Sequence, residues 1–439
     1  MFSYYFKLGA RSLRRNPALT ALMILTLAVG VAASISTLTI LHAMSADPIP
    51  QKSARLFTTV IDNGQLENYN PNEDNRTSNQ LLSYIDAANL VKSAPVQRKV
   101  ALYGISGVIE PARADMAVMS AQGMATSLDF FGMMDVNFLH GQAWSDADDK
   151  VGADVVVISR ALSEKLFGAA NPVGQRIRLN SFDYQIVGVM NAFNPLPRFY
   201  RLIGGPGAFG TEEEVIVPLS NAVRHESGAQ GSMSCDTNRD PGYQGLLKSE
   251  CTWMTVWLET RSAGDRAELQ NWLDSYASEQ RKLGRLKRNA KNELFDVKQW
   301  LVERKVVGND NRLAVYLSFG FLLLCLVNTI GLLLAKFSVR AAEVGIRRAL
   351  GASRRDIFTQ FLIETGVVGL AGAVLGLLLS FGALALIGMS SKELKVVAHL
   401  DWEMLVMTVV LSLVASLLAG LLPTWRACQV TPAIQLKSQ

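Results

Sequence analysis

The chain has 439 residues, of which 49% are hydrophobic and 18% are charged, and its mean hydropathy is +0.19. Charged residues make up about a quarter of an ordinary soluble protein, so this composition favours long apolar spans joined to a soluble domain. The formal net charge of +5 would suit a nucleic-acid-binding protein. The arginines cluster beside apolar runs, however, which is typical of membrane orientation, and we expect no nucleic-acid partner.

Four apolar stretches are long enough to cross a membrane, which takes about 20 residues with few or no charges. The first of them holds no charged residue between positions 17 and 46. The apolar region of a cleaved signal peptide has only about 7–15 residues, so we expect this stretch to be an uncleaved anchor. We divide the chain into an amphipathic lead-in and first span (1–46), an outer domain (47–311), a second span (312–336), a connecting segment (337–360), a third span (361–389), a short loop (390–402), a fourth span (403–425) and a tail (426–439).

Positive charges near the span ends predict the orientation, because Lys and Arg are enriched on the cytoplasmic side of a membrane. They precede the first span, fill the connecting segment and follow the fourth span: Lys7, Arg11, Arg14, Arg15, Lys336, Arg340, Arg347, Arg348, Arg354, Arg355, Arg426 and Lys437. The sequence therefore predicts that both termini and the connecting segment are cytoplasmic. The outer domain and the short loop are then expected on the other side of the membrane.

The outer domain has the alternating strand and helix signals of a mixed α/β fold. Short β-branched or alternating runs predict strands at 105–110, 117–121, 155–158, 182–189, 215–218 and 255–258. Helical spacing of apolar residues predicts helices at 159–167 and 265–283, and a helical stem at 296–302 that leads into the second span. Loops are predicted at 69–79, which is rich in Asn, and at 194–211, which is rich in Gly and Pro.

The 4 cysteines form no C-x-x-C pair, so neither a thiol-redox nor a zinc motif is indicated. Cys235 and Cys251 both lie in the outer domain, where an environment outside the cytoplasm permits a disulfide. We predict that they are bridged and that the bridge closes a loop-like excursion. Cys325 in the second span and Cys428 in the tail are not expected to pair with them.

Small residues recur at every fourth position on two of the spans, which places them on one helix face. They are Gly372, Gly376 and Ser380 in the third span and Ser412, Ser416 and Gly420 in the fourth. Such faces allow membrane helices to pack closely, although glycine is also common in membrane helices without that role. We favour packing faces, and the sequence leaves open whether the contact lies within the chain or between chains.

Catalytic and metal-binding motifs are not found in the sequence. No G-x-x-x-x-G-K-[ST] loop, H-E-x-x-H pair or G-x-S-x-G elbow occurs. Asp146, Asp148 and Asp149 lack the glycine and closing glutamate of an EF-hand loop, so we predict a solvated turn and no metal site. Glu364, at the start of the third span, is a candidate functional acid, but it is close enough to the interface to be solvated or paired with a nearby arginine. We predict no catalytic residue.

The connecting segment reads EVGIRRALGASRRDIFTQ from residue 343 to residue 360. Apolar residues such as Val344 and Leu350 alternate with four arginines, and Gly351 interrupts the helical pattern. Ser353 can cap a second helix that runs into the third span. Two short helices at an angle would present apolar side chains and arginines to a partner protein, whereas a basic loop would lie on lipid headgroups. The residues alone favour neither reading.

Four stretches of the chain resemble one known family. EVGIRRALGASRRDIFTQFLIE (343–364) resembles the signature of the FtsX-like permeases of ABC transporters, the group that includes the MacB macrolide exporter and the LolC/LolE lipoprotein releasers. The lead-in RSLRRNPALTALMILTLAVGVAAS (11–34) and the ending PTWRACQVTPAIQLK (423–437) resemble the corresponding parts of that family. VVVISRALSEKLFGAANPVGQRIRLNSFDYQIVGVM (155–190) is similar to the MacB-type periplasmic core domain. The resemblance covers nearly the whole chain and implies an integral inner-membrane protein with four transmembrane helices and a large mixed α/β periplasmic core domain.

The resemblance implies that residues 343–356 form a coupling helix on which an ABC ATPase docks. The residues expected to couple are Glu343, Gly345, Ile346, Arg347, Arg348, Leu350, Gly351, Ala352, Ser353, Arg354, Arg355 and Asp356. MacB has a fused ATPase domain and this sequence shows none, so a separate ATPase subunit is expected. ATP and magnesium would be bound in that subunit, and no cofactor would be bound by this chain.

The family also implies a second permease chain, identical or related, together with membrane lipids, a periplasmic adaptor and an outer-membrane channel. The expected function is to transmit ATP hydrolysis to the periplasmic domain and so to drive efflux or secretion of an amphiphile such as an antibiotic or a peptide. Lipoprotein release, or signalling to an extracytoplasmic partner, is the alternative. Because the docking contact is expected to be charged, replacing Arg347 and Arg348 with Glu is predicted to abolish association with the ATPase.

Overall fold

The computed structural model describes residues 16–64, 80–111, 116–235, 239–288, 291–390, 398 and 400–429. The chain divides into two compact units, one of Met1–Ser45 with Val307–Gln439 and the other of Ala46–Val306. We call them the membrane unit and the core domain. The predicted loop at 69–79 lies outside the described residues.

The membrane unit opens with helix α1 (Pro17–Met44). Proline at its first position suits a helix start, because the amide hydrogen that proline lacks would have no partner there. The helix is long and apolar enough to span a membrane. This is the length expected of an anchor rather than of a signal peptide.

The core domain is built on one mixed sheet. Its strands in chain order are β1 (Leu56–Val60), β2 (Leu82–Ser83), β3 (Arg98–Glu110), β4 (Met119–Thr126), β5 (Phe138–Gly141), β6 (Val155–Ser159), β7 (Arg176–Leu179), β8 (Phe182–Met190), β9 (Val215–Pro218), β10 (Thr252–Glu259) and β11 (Glu293–Asp296). Among the described residues their order in the sheet is β11-β1-β10-β3-β4-β9-β6-β8-β5, with β2 paired to β10 and β7 paired to both β3 and β8. The predicted strands are confirmed, although β3 begins earlier than predicted and β4 begins later.

Most neighbouring strands of this sheet are antiparallel, but β4 with β9 and β6 with β8 are parallel. The interior strands are buried on both faces. In β6, Val156 and Ile158 belong to the cluster on one face, and Val155 and Val157 to the cluster on the other. A strand covered on both faces is a continuous apolar run rather than an alternating one, which explains the sequence VVVIS.

Short helices cover the sheet. They are α2 (Tyr84–Ser93), α3 (Asp129–Met133), α4 (Asp146–Val151), α5 (Arg160–Phe167), α6 (Leu219–Arg224), α7 (Gly242–Lys248), α8 (Arg266–Lys282) and α9 (Val297–Glu303). The helices predicted at 159–167 and 265–283 are confirmed as α5 and α8.

The aspartate cluster that we predicted to be a solvated turn is instead the first turn of helix α4. Ser145 Oγ accepts a hydrogen bond from the Asp148 N–H at 3.1 Å, and the Ser145 N–H donates to Asp148 Oδ2 at 3.0 Å. This reciprocal capping box satisfies donors that a helix start would otherwise leave unpaired. The turn prediction was wrong because the capping role of Ser145 was not considered.

The predicted helical stem does not run continuously into the second span. Asp296 caps α9 by accepting a hydrogen bond from the Gln299 N–H at 2.8 Å, and α9 ends at Glu303. Lys305 then has a φ of +50°, which a right-handed helix does not permit. The helix of the second span starts afresh at Asn309.

The predicted loop at 194–211 is partly buried in the core domain, with residues 197–201 buried. It contains one 3₁₀ turn, Phe199–Arg201, whose residues are buried. The guanidinium of Arg198 pairs with the carboxylate of Glu213, and the Tyr200 hydroxyl donates to the same carboxylate at 2.5 Å. A loop with polar groups this deep needs such partners, because a buried unpaired charge is strongly destabilising.

A disulfide joins Cys235 to Cys251, the pair chosen from the sequence. Helix α7 lies between them, so the bridge closes an excursion that is partly helical. Cys325 and Cys428 are buried free cysteines.

The rest of the membrane unit consists of α10 (Asn309–Val339), α11 (Ala341–Ala349), α12 (Arg354–Ser390) and α13 (Trp402–Cys428). Among the described residues, α1, α10, α12 and α13 are the helices long and apolar enough to cross a membrane, so the four predicted spans are confirmed. Helix α1 packs against α10 and α12, while α13 packs against α12, α10 and α1. Helix α11 is short, whereas α12 begins after Ser353 and continues through the third span, as predicted for a helix capped by that serine.

Candidate coupling site between α10 and α12

The joint between α11 and α12 is a tightly hydrogen-bonded turn. The Gly351 N–H donates to the Arg348 carbonyl at 3.1 Å, and the Ala352 N–H donates to the Arg347 carbonyl at 3.0 Å. These two bonds form a Schellman motif, in which the residue after the helix is left-handed. Gly351 has a φ of +100°, a conformation that glycine adopts without strain.

The next helix begins two residues later with a capping box. The Asp356 N–H donates to Ser353 Oγ at 3.2 Å, and the Ser353 N–H donates to Asp356 Oδ2 at 3.2 Å. Both ends of the turn are therefore fixed by hydrogen bonds within the segment. Residues 343–356, which we call the coupling segment, form a defined elbow rather than a flexible basic loop.

One face of this elbow is anchored on the membrane helices. Val344 and Ile357 are buried in a cluster that also contains Phe337, Phe361 and Val368. Gly345 is buried as well. The apolar residues on this face hold the segment in place and are not available to a partner.

The opposite face is exposed and mixes apolar and basic side chains. Ile346 is 59% exposed and Leu350 is 83% exposed. Arg354 and Arg355 are also exposed. Ile346 and Leu350 thus form an exposed apolar pair beside two arginines, which makes this face a candidate docking surface.

Arg347 and Arg348, which we expected to contact the partner, instead make contacts within the chain. Arg347 Nη2 lies 2.6 Å from Glu343 Oε1, and Arg347 Nη1 donates to Gln360 Oε1 at 2.9 Å. Arg348 Nη1 donates to the Cys428 carbonyl at 3.5 Å, near the end of α13. Arg347 therefore braces α11 against α12, and Arg348 braces it against α13.

Glu364 is buried and paired rather than solvated. Its carboxylate lies 2.8 Å from Lys336 Nζ on α10 and 3.0 Å from Arg340 Nη1 at the α10–α11 junction. The side chains of Lys336 and Glu364 are 0% and 3% exposed. The sequence suggested a nearby arginine as the partner. The pairing with Lys336 is not evident from the sequence, because it depends on how α10 and α12 are placed.

The two faces of small residues lie inside the chain. Gly372 and Gly376 pack against α1, where an added Cβ would lie 2.9 Å from Leu27 Cδ2 and 3.4 Å from the Ala28 carbonyl oxygen, respectively. Ser380 is buried on the same helix, and its hydroxyl donates to the Gly376 carbonyl at 2.8 Å. Helix α12 therefore uses these residues to approach α1.

The small residues of α13 face α12 instead. Ser412 Oγ donates to the Gly369 carbonyl at 2.8 Å, and an added Cβ on Gly420 would lie 2.6 Å from Thr365 Cγ2. Ser416 meets Gly369 at the same crossing. Gly369 was not chosen from the sequence, although it lies one turn before Gly372 and could have been found by extending that face.

Among the described residues there is no group of three or more His, Cys, Asp or Glu side chains that could hold a metal ion. The features that stand out are the exposed face of the elbow, its internal braces and the buried charges behind it. They make this part of the chain a candidate coupling site.

Comparison with known proteins agrees with this geometry. Residues 20–276 match the MacB-like periplasmic core domain, which is more than half of the chain, and residues 315–432 match the FtsX-like permease C-terminal domain. The fold is that of an ABC-transporter permease with four transmembrane helices and a mixed α/β periplasmic domain. The chain belongs to the family of MacB-like permeases with an FtsX-like C-terminal domain.

Several curated relatives align with nearly all of the chain. A macrolide export ATP-binding/permease protein MacB from Azoarcus is 24% identical over 98% of this chain and 58% of its own length. A pyoverdine export ATP-binding/permease protein PvdT from Pseudomonas fluorescens is 24% identical over 96% of this chain and 57% of its own length. The chain thus spans less than two thirds of the length of these relatives. The crystal structure of the periplasmic region of MacB from Actinobacillus actinomycetemcomitans has 13% identity and a TM-score of 0.37, covering 60% of this chain and 98% of that one.

Proposed function

We propose that this chain is the permease of an ABC exporter in the inner membrane, with both termini and the coupling segment in the cytoplasm and the core domain in the periplasm. An ABC ATPase binds ATP and magnesium and docks on the coupling segment. The permease itself catalyses nothing. It passes the movement caused by ATP hydrolysis to the core domain, which drives export of an amphiphilic substrate.

The exposed face of the elbow is the observation that supports this proposal most directly. Ile346 and Leu350 are exposed on successive turns beside Arg354 and Arg355, and the hydrogen-bonded turn holds this face in one orientation. Neighbouring apolar side chains that are largely exposed mark a surface that a partner can bury. A preorganised docking face also loses little entropy on binding.

The names of the relatives support an export function for this chain. Both are ATP-binding/permease proteins, one for macrolide export and the other for pyoverdine export. The substrate class that we propose is an amphiphile such as an antibiotic, a peptide or a similar molecule. A second permease chain, identical or related, completes the transporter. A periplasmic adaptor and an outer-membrane channel continue the export route, and the outward apolar faces of the helices contact lipid.

Co-purification with the ATPase tests the docking face. Replacing Ile346 and Leu350 with Asp should abolish association with the ABC ATPase without preventing membrane insertion, because two charges would enter an apolar contact. The control is Leu283→Asp, which changes a leucine of the core domain whose exposure lies between those of Ile346 and Leu350 and should leave association unchanged. If the Ile346→Asp, Leu350→Asp variant co-purifies with the ATPase at the wild-type level, the docking assignment is wrong.

A further inference from the structure

Residues 336–364 form a hairpin that is closed at its base. Helix α10 enters the hairpin, the coupling segment makes the turn, and α12 leaves it. At the base, Glu364 of α12 lies 2.8 Å from Lys336 and 3.0 Å from Arg340. The two membrane helices on either side of the coupling segment are thus joined through a single carboxylate.

Burial makes this junction difficult to open. Lys336 and Glu364 are almost completely shielded from solvent, so separating α10 from α12 at this end would leave buried charges without partners. Breaking a buried ion pair in that way is strongly unfavourable. The Glu343–Arg347 pair of the same segment is more than a third exposed on each side, and water can replace its contacts at little cost.

Apolar packing supports the same junction. The rings of Phe337 on α10 and Phe361 on α12 lie 4.3 Å apart between centroids. Both rings belong to the buried cluster that anchors Val344 and Ile357 of the elbow. The ionic and apolar contacts therefore join the same three elements.

We propose that Lys336, Arg340 and Glu364 are positioning residues that clamp α10, the coupling segment and α12 into one rigid body. A displacement of α11 is then passed to both membrane helices together and does not spread them apart. The inference rests on the proposed function for the source of the displacement. The clamp itself is a property of this chain and can be tested without the ATPase.

The first experiment measures the position of the elbow in the full chain alone in lipid nanodiscs. Spin labels are placed at Leu350 and Trp425, both exposed, after Cys325 and Cys428 are changed to Ser. We expect a narrow distance distribution, a clearly broader one with Glu364→Gln, and no change with Glu343→Gln, the same substitution at the exposed pair. Should Glu364→Gln fail to insert, Lys336→Met serves instead and should also broaden the distribution. An unchanged distribution in the clamp variant, or equal broadening in the Glu343→Gln control, would overturn the proposal.

The second experiment locks the base of the hairpin in the complete transporter. Phe337→Cys with Phe361→Cys can be joined by a short, reducible thiol cross-linker that fills the space of the two removed rings, and the cross-linked protein should export substrate at the rate of the reduced protein. Export that stops on cross-linking and returns on reduction would mean that α10 and α12 must separate, and the clamp would be disproved. If the wild-type chain binds no ABC ATPase, the proposed function fails, while the spin-label distances still decide whether the clamp exists.

Discussion

Gly369 lies at the crossing of α12 and α13, where a methyl group does not fit. A Cβ added there would overlap the Ser416 hydroxyl, lie 2.7 Å from Ser416 Cβ and lie 3.3 Å from the Ser412 carbonyl oxygen. Carbon atoms in contact rest about 3.5–4.0 Å apart, so Gly369→Ala requires the helices to separate or Ser416 to move. Overpacking of this kind costs about 1–3 kcal/mol.

Gly366 provides a matched control one turn earlier on the same helix. A Cβ added there has Leu417 Cδ2 as its nearest neighbour, at 4.0 Å. Replacing a helical glycine with alanine where there is room stabilises by about 0.5–1 kcal/mol. The free energies of unfolding of the two variants should therefore differ by about 1.5–4 kcal/mol, which is roughly tenfold to several hundredfold in the unfolding equilibrium.

Reversible unfolding in mixed micelles can measure this difference. The variants are Gly369→Ala, Gly366→Ala, Ser416→Gly and the double variant Gly369→Ala, Ser416→Gly. The Ser416→Gly change removes both clashing atoms, so alanine at position 369 should cost much less in the double variant than in the single one. Equal stability of the Gly369→Ala and Gly366→Ala variants, or no relief from Ser416→Gly, would refute the described crossing.

Three further predictions concern the core domain. Replacing Cys235 and Cys251 with Ser should lower the free energy of unfolding by about 3 kcal/mol, because the bridge spans 16 residues. If both thiols of the wild-type protein are alkylated without prior reduction, the bridge is contradicted. Arg198→Met should cost about 1.5–3 kcal/mol, because it removes one of the two buried arginines that pair with the buried carboxylate of Glu213 and leaves Arg201 as the other, whereas Arg160→Met, at an exposed pair with Glu164, should cost about 0.3–0.5 kcal/mol. Burial works to raise the pKa of Asp154, but hydrogen bonds with His225 and Asn221 and the charge of Arg224 outweigh it and lower the pKa. Asp154 therefore stabilises the fold fully above its unfolded pKa of about 3.9, and this stabilisation is lost as the pH falls through the lower folded pKa. The prediction is contradicted if the unfolding midpoints of wild type and Asp154→Asn change in parallel as the pH is lowered below about 5.

The sequence predicted the elements whose local residues determine the conformation. Val155–Ser159 is a strand buried on both faces, and its unbroken apolar run was sufficient to identify it. The turn after α11 was found from Gly351 and Ser353, because a left-handed residue and a helix cap each have a strong residue preference. In both cases the signal lies within a few adjacent residues.

The sequence could not predict features that depend on where a neighbouring helix lies. Glu343 lies four residues before Arg347, so that pair is local. The contact of Arg347 with Gln360 of α12, and the exposure of Arg354, depend on how the helices are placed. The break after α9 was missed for a related reason. Lys305 has a φ of +50° although it is neither glycine nor asparagine, so its conformation comes from the surrounding structure rather than from its own preference.

This difference between the arginines changes how the charge-reversal experiment must be interpreted. Arg347→Glu with Arg348→Glu would remove the contacts that hold α11 against α12 and α13, so loss of ATPase association in that variant would follow even if neither residue touched the partner. Arg354→Glu with Arg355→Glu alters two exposed residues and leaves those contacts in place. Loss of association in both variants would fit a basic docking contact. Loss only with Arg347 and Arg348 would mean that the ATPase recognises the orientation of the elbow and the apolar side chains of Ile346 and Leu350, and that the basic charge serves mainly to keep this end of the helices in the cytoplasm.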